Sequence, residues 1–201
     1  MKQNNWFDPF HIQSHLSEEE LRIQKNVKEF CEKELKPSVV KMNREHMFDV
    51  NLYPKFGSLG VLGQTIKSYG GSGTSNLAYG LVAYEFEKID SSYRSSISVQ
   101  SSLVIHPINE FGSNDQKDKY LPELIKGKKI GCFGLTESEA GSDPSSMKTT
   151  YKKTKDGYIL NGIKNWITNA PIADIFIIWA LEENGNNKSI EGFILEKNFN
   201  G

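Results

Sequence analysis

Cysteine, long apolar runs and an excess of positive charge are all missing or scarce in this sequence, and each absence disfavours a class of protein. The only cysteines, Cys31 and Cys132, lie far apart without metal-ligand spacing, so we expect small buried hydrophobes in a reducing compartment and no metal site. No segment offers the roughly 18 apolar residues of a membrane helix, so no membrane span is expected. The formal net charge of -1 argues against a nucleic-acid-binding protein.

The first ten residues lack the signals of a targeting segment. They contain neither an apolar h-region nor an Arg-rich amphipathic pattern, which disfavours a secretory signal peptide and a mitochondrial presequence. We expect a cytoplasmic protein in a bacterium, or a protein of the mitochondrial matrix in a eukaryote.

Arginine is the scarcest of the charged residues. It occurs only at Arg22, Arg44 and Arg94, among 24 lysines and arginines in all. Since this sequence uses Lys wherever Lys serves, a remaining Arg is a candidate for a role that needs the planar guanidinium fork.

The first two-thirds of the chain show helical signals. Two capping boxes mark helix starts, Ser17 with Glu20 and Ser113 with Gln116. Apolar residues recur at helical spacing behind the first box as far as Pro37, and a later helical pattern ends at Gly112. We interpret Pro122 as opening a short turn rather than lying inside a helix.

Near residue 129 the pattern changes to that of strands. Strands are predicted at 130–135, 149–154, 158–160, 165–168, 175–181 and 191–196, with a hairpin at Asp156-Gly157. Helices followed by strands indicate an α+β protein, with an all-α N-terminal domain at 1–129 and an incomplete antiparallel β-domain at 130–201. Because the last strand has no partner after it, we expect the fold to continue beyond Gly201.

Two stretches of the strand region could bind a flat, phosphorylated ligand. From 133 to 143 a strand leads into an acidic loop and Gly-Ser-Asp, where Gly141 would let backbone N–H groups approach a ring and a phosphate. The alternative is an ordinary turn. Trp166 could cover a ligand or pack in the core, and on the predicted strand its indole would share one face with the hydroxyl of Thr168.

Several separated motifs resemble the acyl-CoA dehydrogenase family, and within it glutaryl-CoA dehydrogenase. They lie at Tyr93–Ser102, His106-Pro107, Tyr120–Pro122, Phe133–Met147 and Lys164–Asn169. The resemblance runs from about Phe7 to Gly201, which is nearly the whole chain.

This resemblance implies an FAD site. It assigns FAD contacts to Phe133, Leu135, Thr136, Gly141, Ser142, Trp166, Ile167 and Thr168. It places Trp166 on one face of the isoalloxazine, Thr168 near N5, and Ser142 also against the acyl-CoA. A protein tunes such a hydride acceptor by hydrogen bonds to the ring and orients it against the substrate.

The resemblance also implies a substrate contact at Arg94, as the anchor of the distal carboxylate of glutaryl-CoA. A guanidinium group binds a buried carboxylate well, because it can donate two parallel, charge-assisted hydrogen bonds. Ser95 and Ser98 could add hydrogen bonds, and Glu87 matches a further subgroup position. The alternative is that Arg94 pairs with Glu87 only to clamp two helices. His106, set among apolar neighbours, is interpreted as a core histidine.

The implied activity is FAD-dependent oxidative decarboxylation of glutaryl-CoA to crotonyl-CoA, as in lysine and tryptophan degradation. A homotetramer would pass the electrons to electron-transfer flavoprotein. In the family, a Glu of a C-terminal helical bundle removes the α-proton, and this sequence contains no such bundle, so no catalytic residue is assigned. Ser138 replaces a Pro found in many relatives, which alters loop stiffness. The alternatives are an inactive, flavin-free fragment, another short- or branched-chain acyl-CoA dehydrogenase, or an acyl-CoA oxidase.

Overall fold

The computed structural model describes residues 8–183 and 189–199, so expectations for residues 1–7, 184–188 and 200–201 lie outside the described residues. The α-helices are α1 Glu18–Phe30, α2 Val39–Arg44, α3 Leu52–Leu59, α4 Asn76–Glu87, α5 Ser91–Ser98, α6 His106–Phe111 and α7 Asn114–Ile125. Two π-helical segments add to them. Cys31–Leu35 continues α1, and Val99–Ile105 joins α5 to α6 without a break.

Both predicted capping boxes are confirmed. In each, the Ser hydroxyl accepts from the backbone N–H three residues on, and that residue's side chain accepts from the Ser N–H. The interpretation of Pro122 is wrong, because Pro122 lies inside α7. Proline removes one helical hydrogen bond, but α7 buries an apolar face on either side of it, which outweighs that loss: Tyr120, Leu121, Leu124 and Ile125.

Five strands follow, β1 Gly131–Gly134, β2 Thr150–Thr154, β3 Gly157–Asn161, β4 Ile175–Glu182 and β5 Ile190–Glu196. The strand β4 is central. Along one edge it pairs with β5 antiparallel, and along the other it pairs first with β1 and then with β2, both parallel. The hairpin predicted at Asp156-Gly157 joins β2 to β3.

The α+β class is confirmed, with a helical part followed by a sheet, but the sheet is mixed rather than antiparallel. The chain between β1 and β4 spans 40 residues, from 135 to 174, which is long enough for the crossover that a parallel pair needs. Within the ranges 8–183 and 189–199, no helix combines the length and apolar character needed to cross a bilayer.

One hydrophobic core joins the helices to the sheet. Its centre is a cluster of aromatic rings, with the centroids of Phe56 and Phe86 5.4 Å apart and those of Phe30 and Phe56 6.0 Å apart, both edge-on. Towards the sheet the same core includes Val104 of the π-helical segment and Ile175 of β4. Val104 also lies against β1, because a Cβ on Gly131 would be 2.5 Å from its Cγ1. The π-helical segment that contains Val104 continues the helix that carries Arg94.

Candidate functional site

The carboxyl end of β1 and the segment 164–169 lie side by side. The backbone N–H of Asn165 donates to the carbonyl of Thr136 over 2.9 Å, and the amide of Asn169 donates to the carbonyl of Gly131 over 3.1 Å. These bonds bring Leu135 and Thr136 next to the segment that contains Trp166, as the sequence predicted for one site.

Residues 165–168 do not form a strand, so the prediction of a strand there is wrong. They belong to an irregular segment, 164–169, which we call the bridge. Trp166 and Asn169 both have left-handed backbones, with φ of 60° and 70°, which a strand does not allow. The reasoning that placed Trp166 and Thr168 on one face of a strand therefore fails. Both side chains are nevertheless exposed, and the indole of Trp166 is 91% accessible.

An exposed tryptophan in a left-handed conformation is unusual twice over. A bulky residue pays a steric cost at positive φ, and a large aromatic surface in water forgoes its burial energy. Such strain persists only where the surroundings fix it and is concentrated at ligand sites. This observation favours a ligand face at Trp166 over the core packing that the sequence left open.

The loop after β1 turns on the carboxylate of Glu137, which the sequence described only as acidic. Its oxygens accept from the N–H groups of Lys148 and Thr149 and from the ammonium of Lys164, at 2.6, 3.0 and 2.7 Å. Burial by itself raises the pKa of Glu137, but these bonds outweigh it and hold the pKa at about 2. The ion pair is buried, each side chain being 8% accessible.

Gly141 and Ser142 lie on the outer side of this loop and are both exposed. A Cβ built on Gly141 would meet no atom within 4 Å, so the space in front of it is open. Next to them the carboxylate of Asp143 accepts from the N–H of Ser145 and closes a tight turn. The Gly-Ser-Asp stretch is thus a turn, as the alternative held, and it also leaves its backbone accessible.

Phe133 and Ile167 occupy less open positions than their neighbours. Phe133 is half-buried and packs edge-on against Trp179, with ring centroids 5.9 Å apart, while Ile167 is half-buried between exposed Trp166 and Thr168. Any contact of these two with a ligand would be made by part of the side chain or by the backbone.

Arg94 is paired with Glu87, as the clamp alternative predicted. The Nε atom donates to Oε2 of Glu87 over 2.7 Å, and Ser91 donates to the other carboxylate oxygen over 2.5 Å. These bonds, that of Ser91 first, lower the pKa of Glu87. The pair is partly exposed, and among the described residues the terminal nitrogens of Arg94 have no hydrogen-bond partner. Ser95 and Ser98, both half-buried, are on the same helix.

Gln100 connects the helix of Arg94 to β1, a role the sequence did not reveal. Its amide donates to the carbonyls of Leu124 and Lys129, both over 2.9 Å, and its carbonyl accepts from the N–H of Gly131 over 2.7 Å. All its hydrogen bonds are made to backbone groups in a fully buried position. Gln100 thus fixes the position of the helix that carries Arg94 relative to β1, beside which Trp166 lies. Among the described residues, no side chain forms hydrogen bonds with both Arg94 and Trp166.

The interpretation of His106 as a core residue is wrong. His106 is exposed and lines a polar cavity of about 200 Å³ beside Tyr79 and Ser102. A helix turns each residue by 100°, so apolar neighbours in sequence do not place a residue in the core. Among residues 8–183 and 189–199, no cluster of three or more His, Cys, Asp or Glu side chains could hold a metal.

Two family models cover most of the chain. The model described as "Acyl-CoA dehydrogenase, N-terminal domain" matches residues 17–128, and the one described as "Acyl-CoA dehydrogenase, middle domain" matches residues 132–201.

Individual relatives differ in the substrate that their names carry. A short-chain-specific acyl-CoA dehydrogenase of Clostridium acetobutylicum is 37% identical over 189 residues, which are 93% of this chain and 50% of the relative. Mitochondrial isovaleryl-CoA dehydrogenase of Pongo abelii is 39% identical over 92% of this chain and 45% of its own. The crystal structure of glutaryl-CoA dehydrogenase from Mycobacterium smegmatis in complex with FADH2 superposes with a TM-score of 0.90 and 40% identity, covering 94% of this chain and 48% of that one.

This chain therefore spans about half the length of the relatives that it matches. The two matched regions together extend from the first capping box to the last residue of the sequence. The helical part followed by a mixed sheet agrees with these matches, and the chain belongs to the acyl-CoA dehydrogenase family.

Proposed function

We propose that this chain forms the ring-facing part of an FAD site and the acyl-tail pocket of a glutaryl-CoA-type dehydrogenase. The observation that carries the FAD site is the exposed, left-handed Trp166, held beside Thr136 by the hydrogen bond from Asn165. The match to a glutaryl-CoA dehydrogenase structure solved with FADH2 supports the choice of cofactor. We further propose two units, 1–129 and 130–201, which the ranges of the two family models support.

The residues present fit a flavin. The open indole of Trp166 offers a flat surface for one ring face, and the exposed Thr168 hydroxyl, near N5, could donate to the ring edge. The backbone around Gly141 and the hydroxyl of Ser142 are open to a phosphate or to the acyl thioester. Phe133, Leu135, Thr136 and Ile167 would complete the contacts from the β1 side. When bound, FAD would accept the hydride from the β-carbon of the acyl group.

The acyl-tail pocket is proposed at Arg94. The pairing with Glu87 uses Nε. The two terminal nitrogens have no hydrogen-bond partner within residues 8–183 and 189–199, and they would bind a distal carboxylate. Glu87 would then orient the guanidinium, while Ser95 and Ser98 would add hydroxyl groups to the carboxylate. Acyl groups without a distal carboxylate would leave the terminal nitrogens of Arg94 without this acceptor, so the pocket would discriminate against them.

Several parts of the reaction are proposed from the family alone. The α-proton would be removed by a Glu of the family's C-terminal helical bundle, the electrons would pass to electron-transfer flavoprotein, and the enzyme would be a homotetramer. Loss of CO₂ from the enoyl product, followed by protonation of the resulting carbanion, would then give crotonyl-CoA.

Titration of the purified chain with FAD tests the flavin site. We expect the visible bands of FAD to shift and its fluorescence to be quenched, and Trp166→Ala to weaken binding at least about tenfold through lost stacking. Phe111→Ala is the matched control, because Phe111 is 83% exposed and lies outside the site. A colourless chain that binds no FAD would support the flavin-free fragment instead.

Binding of glutaryl-CoA and butyryl-CoA by calorimetry tests the acyl-tail pocket. We expect Arg94→Ala to weaken the binding of glutaryl-CoA by roughly 10- to 100-fold, which is the range of a charge-assisted hydrogen bond. The binding of butyryl-CoA should change little. Arg44→Ala, at an exposed position on α2, is the control. Equal losses for both ligands would leave Arg94 only the clamp with Glu87.

A further inference from the structure

The bridge 164–169 is fastened to β1 and the loop after it at both ends. At its start the ammonium of Lys164 donates to the carbonyl of Leu135 and to Glu137, over 2.9 and 2.7 Å, and lies 3.7 Å from the sulfur of Met147. At its end the amide of Asn169 donates to the carbonyl of Gly131. Between the two, Trp166 and Thr168 project from the bridge into solvent.

The ion pair of Lys164 and Glu137 is buried, with each side chain 8% accessible. Desolvating two charges costs several kcal/mol each, and well-packed apolar side chains can replace such a pair without loss of stability. The pair does, however, hold separate segments of the chain together. Three separate stretches, at 135–137, 148–149 and 164, converge on the carboxylate and the ammonium.

The bridge also holds backbone conformations that a free chain would leave. Trp166, at φ 60°, and Asn169, at φ 70°, each lie in the left-handed region. Asn tolerates this region, but it is unfavourable for a bulky aromatic such as Trp166. The hydrogen bonds of Lys164 and Asn169 attach the two ends of this strained stretch to β1 and the loop after it.

We propose that Lys164 and Glu137 are a positioning pair, which holds the bridge against β1 so that Trp166 and Thr168 are already arranged for the flavin ring. The proposal rests on the FAD site proposed above. Both side chains are buried, at 8% accessibility, and would act through the backbone, chiefly through the bond from Asn165 to Thr136. Preorganisation of this kind lowers the cost of ordering the site when the ligand binds.

Four variants of the full chain test it: Lys164→Met, Glu137→Gln, the two combined, and Lys148→Met. Lys148 is the matched control, because its side chain pairs with Glu139 at the surface nearby and its backbone N–H is unaffected. Three quantities are measured: the dissociation constant of FAD, the exchange rate of the Asn165 N–H without FAD, and the midpoint of thermal unfolding.

We expect each single variant to raise the dissociation constant of FAD about tenfold or more. We also expect hydrogen exchange at the Asn165 N–H to become about tenfold or more faster, because local opening becomes easier. The double variant leaves no unpaired buried charge, so its unfolding midpoint should return towards the wild-type value while its FAD affinity stays low. The control should match the wild type throughout.

Recovery of FAD affinity together with stability in the double variant would overturn the proposal, because the pair would then only support the fold. If the wild-type chain binds no FAD, the proposed function fails for this chain. Hydrogen exchange at the Asn165 N–H, measured without FAD, still tests whether Lys164 and Glu137 hold the bridge in place. An exchange rate that does not respond to the loss of Lys164 would overturn the positioning role by itself.

Discussion

At the scale of single residues, burial sets the chemistry of the two thiols. It is the main factor that raises the pKa of both Cys31 and Cys132 to about 12, with the carboxylate of Glu85 adding to the effect at Cys31. Only about one thiol in 10⁴ is then ionised at pH 8. We expect both to react with iodoacetamide at least about a hundredfold more slowly in the native chain than in urea, as followed by mass spectrometry. Rapid native labelling of either would contradict this.

Glu137 gives a second prediction, on pH. Its pKa of about 2 lies below the ordinary value of 4.5, so its stabilising effect is complete above pH 4.5 and disappears as the pH falls to about 2. The shift corresponds to on the order of 3 kcal/mol of unfolding free energy. We expect Glu137→Gln to be less stable than the wild type at pH 7 by a similar amount, measured by urea unfolding, and the gap to close through that window. A constant gap would show that the carboxylate charge is not the cause.

Residue-scale predictions from sequence succeed where the cause is local. The boxes at Ser17 and Ser113 depend on side chains three residues apart, and both are confirmed. The roles of Gln100 and Lys164 depend on partners 24 to 31 and 17 to 29 residues away, respectively, so nothing in their neighbourhood marks them. The charges of Lys164 and Glu137 are evident from the sequence, but only the fold brings the two side chains into contact.

At the scale of elements, the contact between β1 and the π-helical segment Val99–Ile105 leaves no room for a side chain at Gly131. A Cβ there would lie 2.5 Å from Cγ1 of Val104. We expect Gly131→Ala to lower the free energy of unfolding by about 1–3 kcal/mol, the usual cost of overpacking, as measured by urea unfolding. Gly141→Ala is the control, since a Cβ at Gly141 meets nothing within 4 Å. Equal stability of the two variants would show that the helix can move away from β1.

Element types follow from sequence periodicity, whereas strand directions do not. The stretches that form β1, β4 and β5 are each recognisable, but a parallel partner for β4 arises because the chain passes through the long crossover from 135 to 174. The bridge 164–169 contains a stretch with the residue types of a strand, but its backbone is not that of a strand. Trp166 and Asn169 have positive φ, and hydrogen bonds of Asn165 and Asn169 tie the bridge to β1 and the loop after it. Tertiary contacts thus override local preference at the candidate site.

At the scale of the whole molecule, the motifs predicted the family because they lie on both parts of the chain, and the two family models match the same two parts. The substrate is a finer matter. Relatives named for short-chain, isovaleryl and glutaryl substrates are all 37–40% identical, so overall similarity does not separate them. We propose that the difference rests on a few side chains around Arg94. There Nε pairs with Glu87, and the terminal nitrogens have no hydrogen-bond partner among the described residues.

The two parts of the molecule also meet at an apolar groove, which gives the last prediction. It has a volume of about 350 Å³ and lies between α6, β4 and β5, lined by Pro107, Ile108, Phe111, Trp179, Phe193 and Ile194. The Nε1 atom of Trp179 is buried and has no partner among the described residues. An open apolar surface of this kind favours binding of an apolar dye to the native state.

We expect an anilinonaphthalene sulfonate dye to fluoresce with the native chain, and Phe111→Lys to reduce the signal at least about threefold, since Phe111 supplies much of the exposed wall. Leu77→Lys is the control, because Leu77 is half exposed on α4 away from the groove. Dye binding alone could also come from a loosely packed state. Near-ultraviolet circular dichroism distinguishes the two, because only a packed native chain retains a fixed aromatic signal. Equal loss of dye in both variants would mean that the dye binds elsewhere.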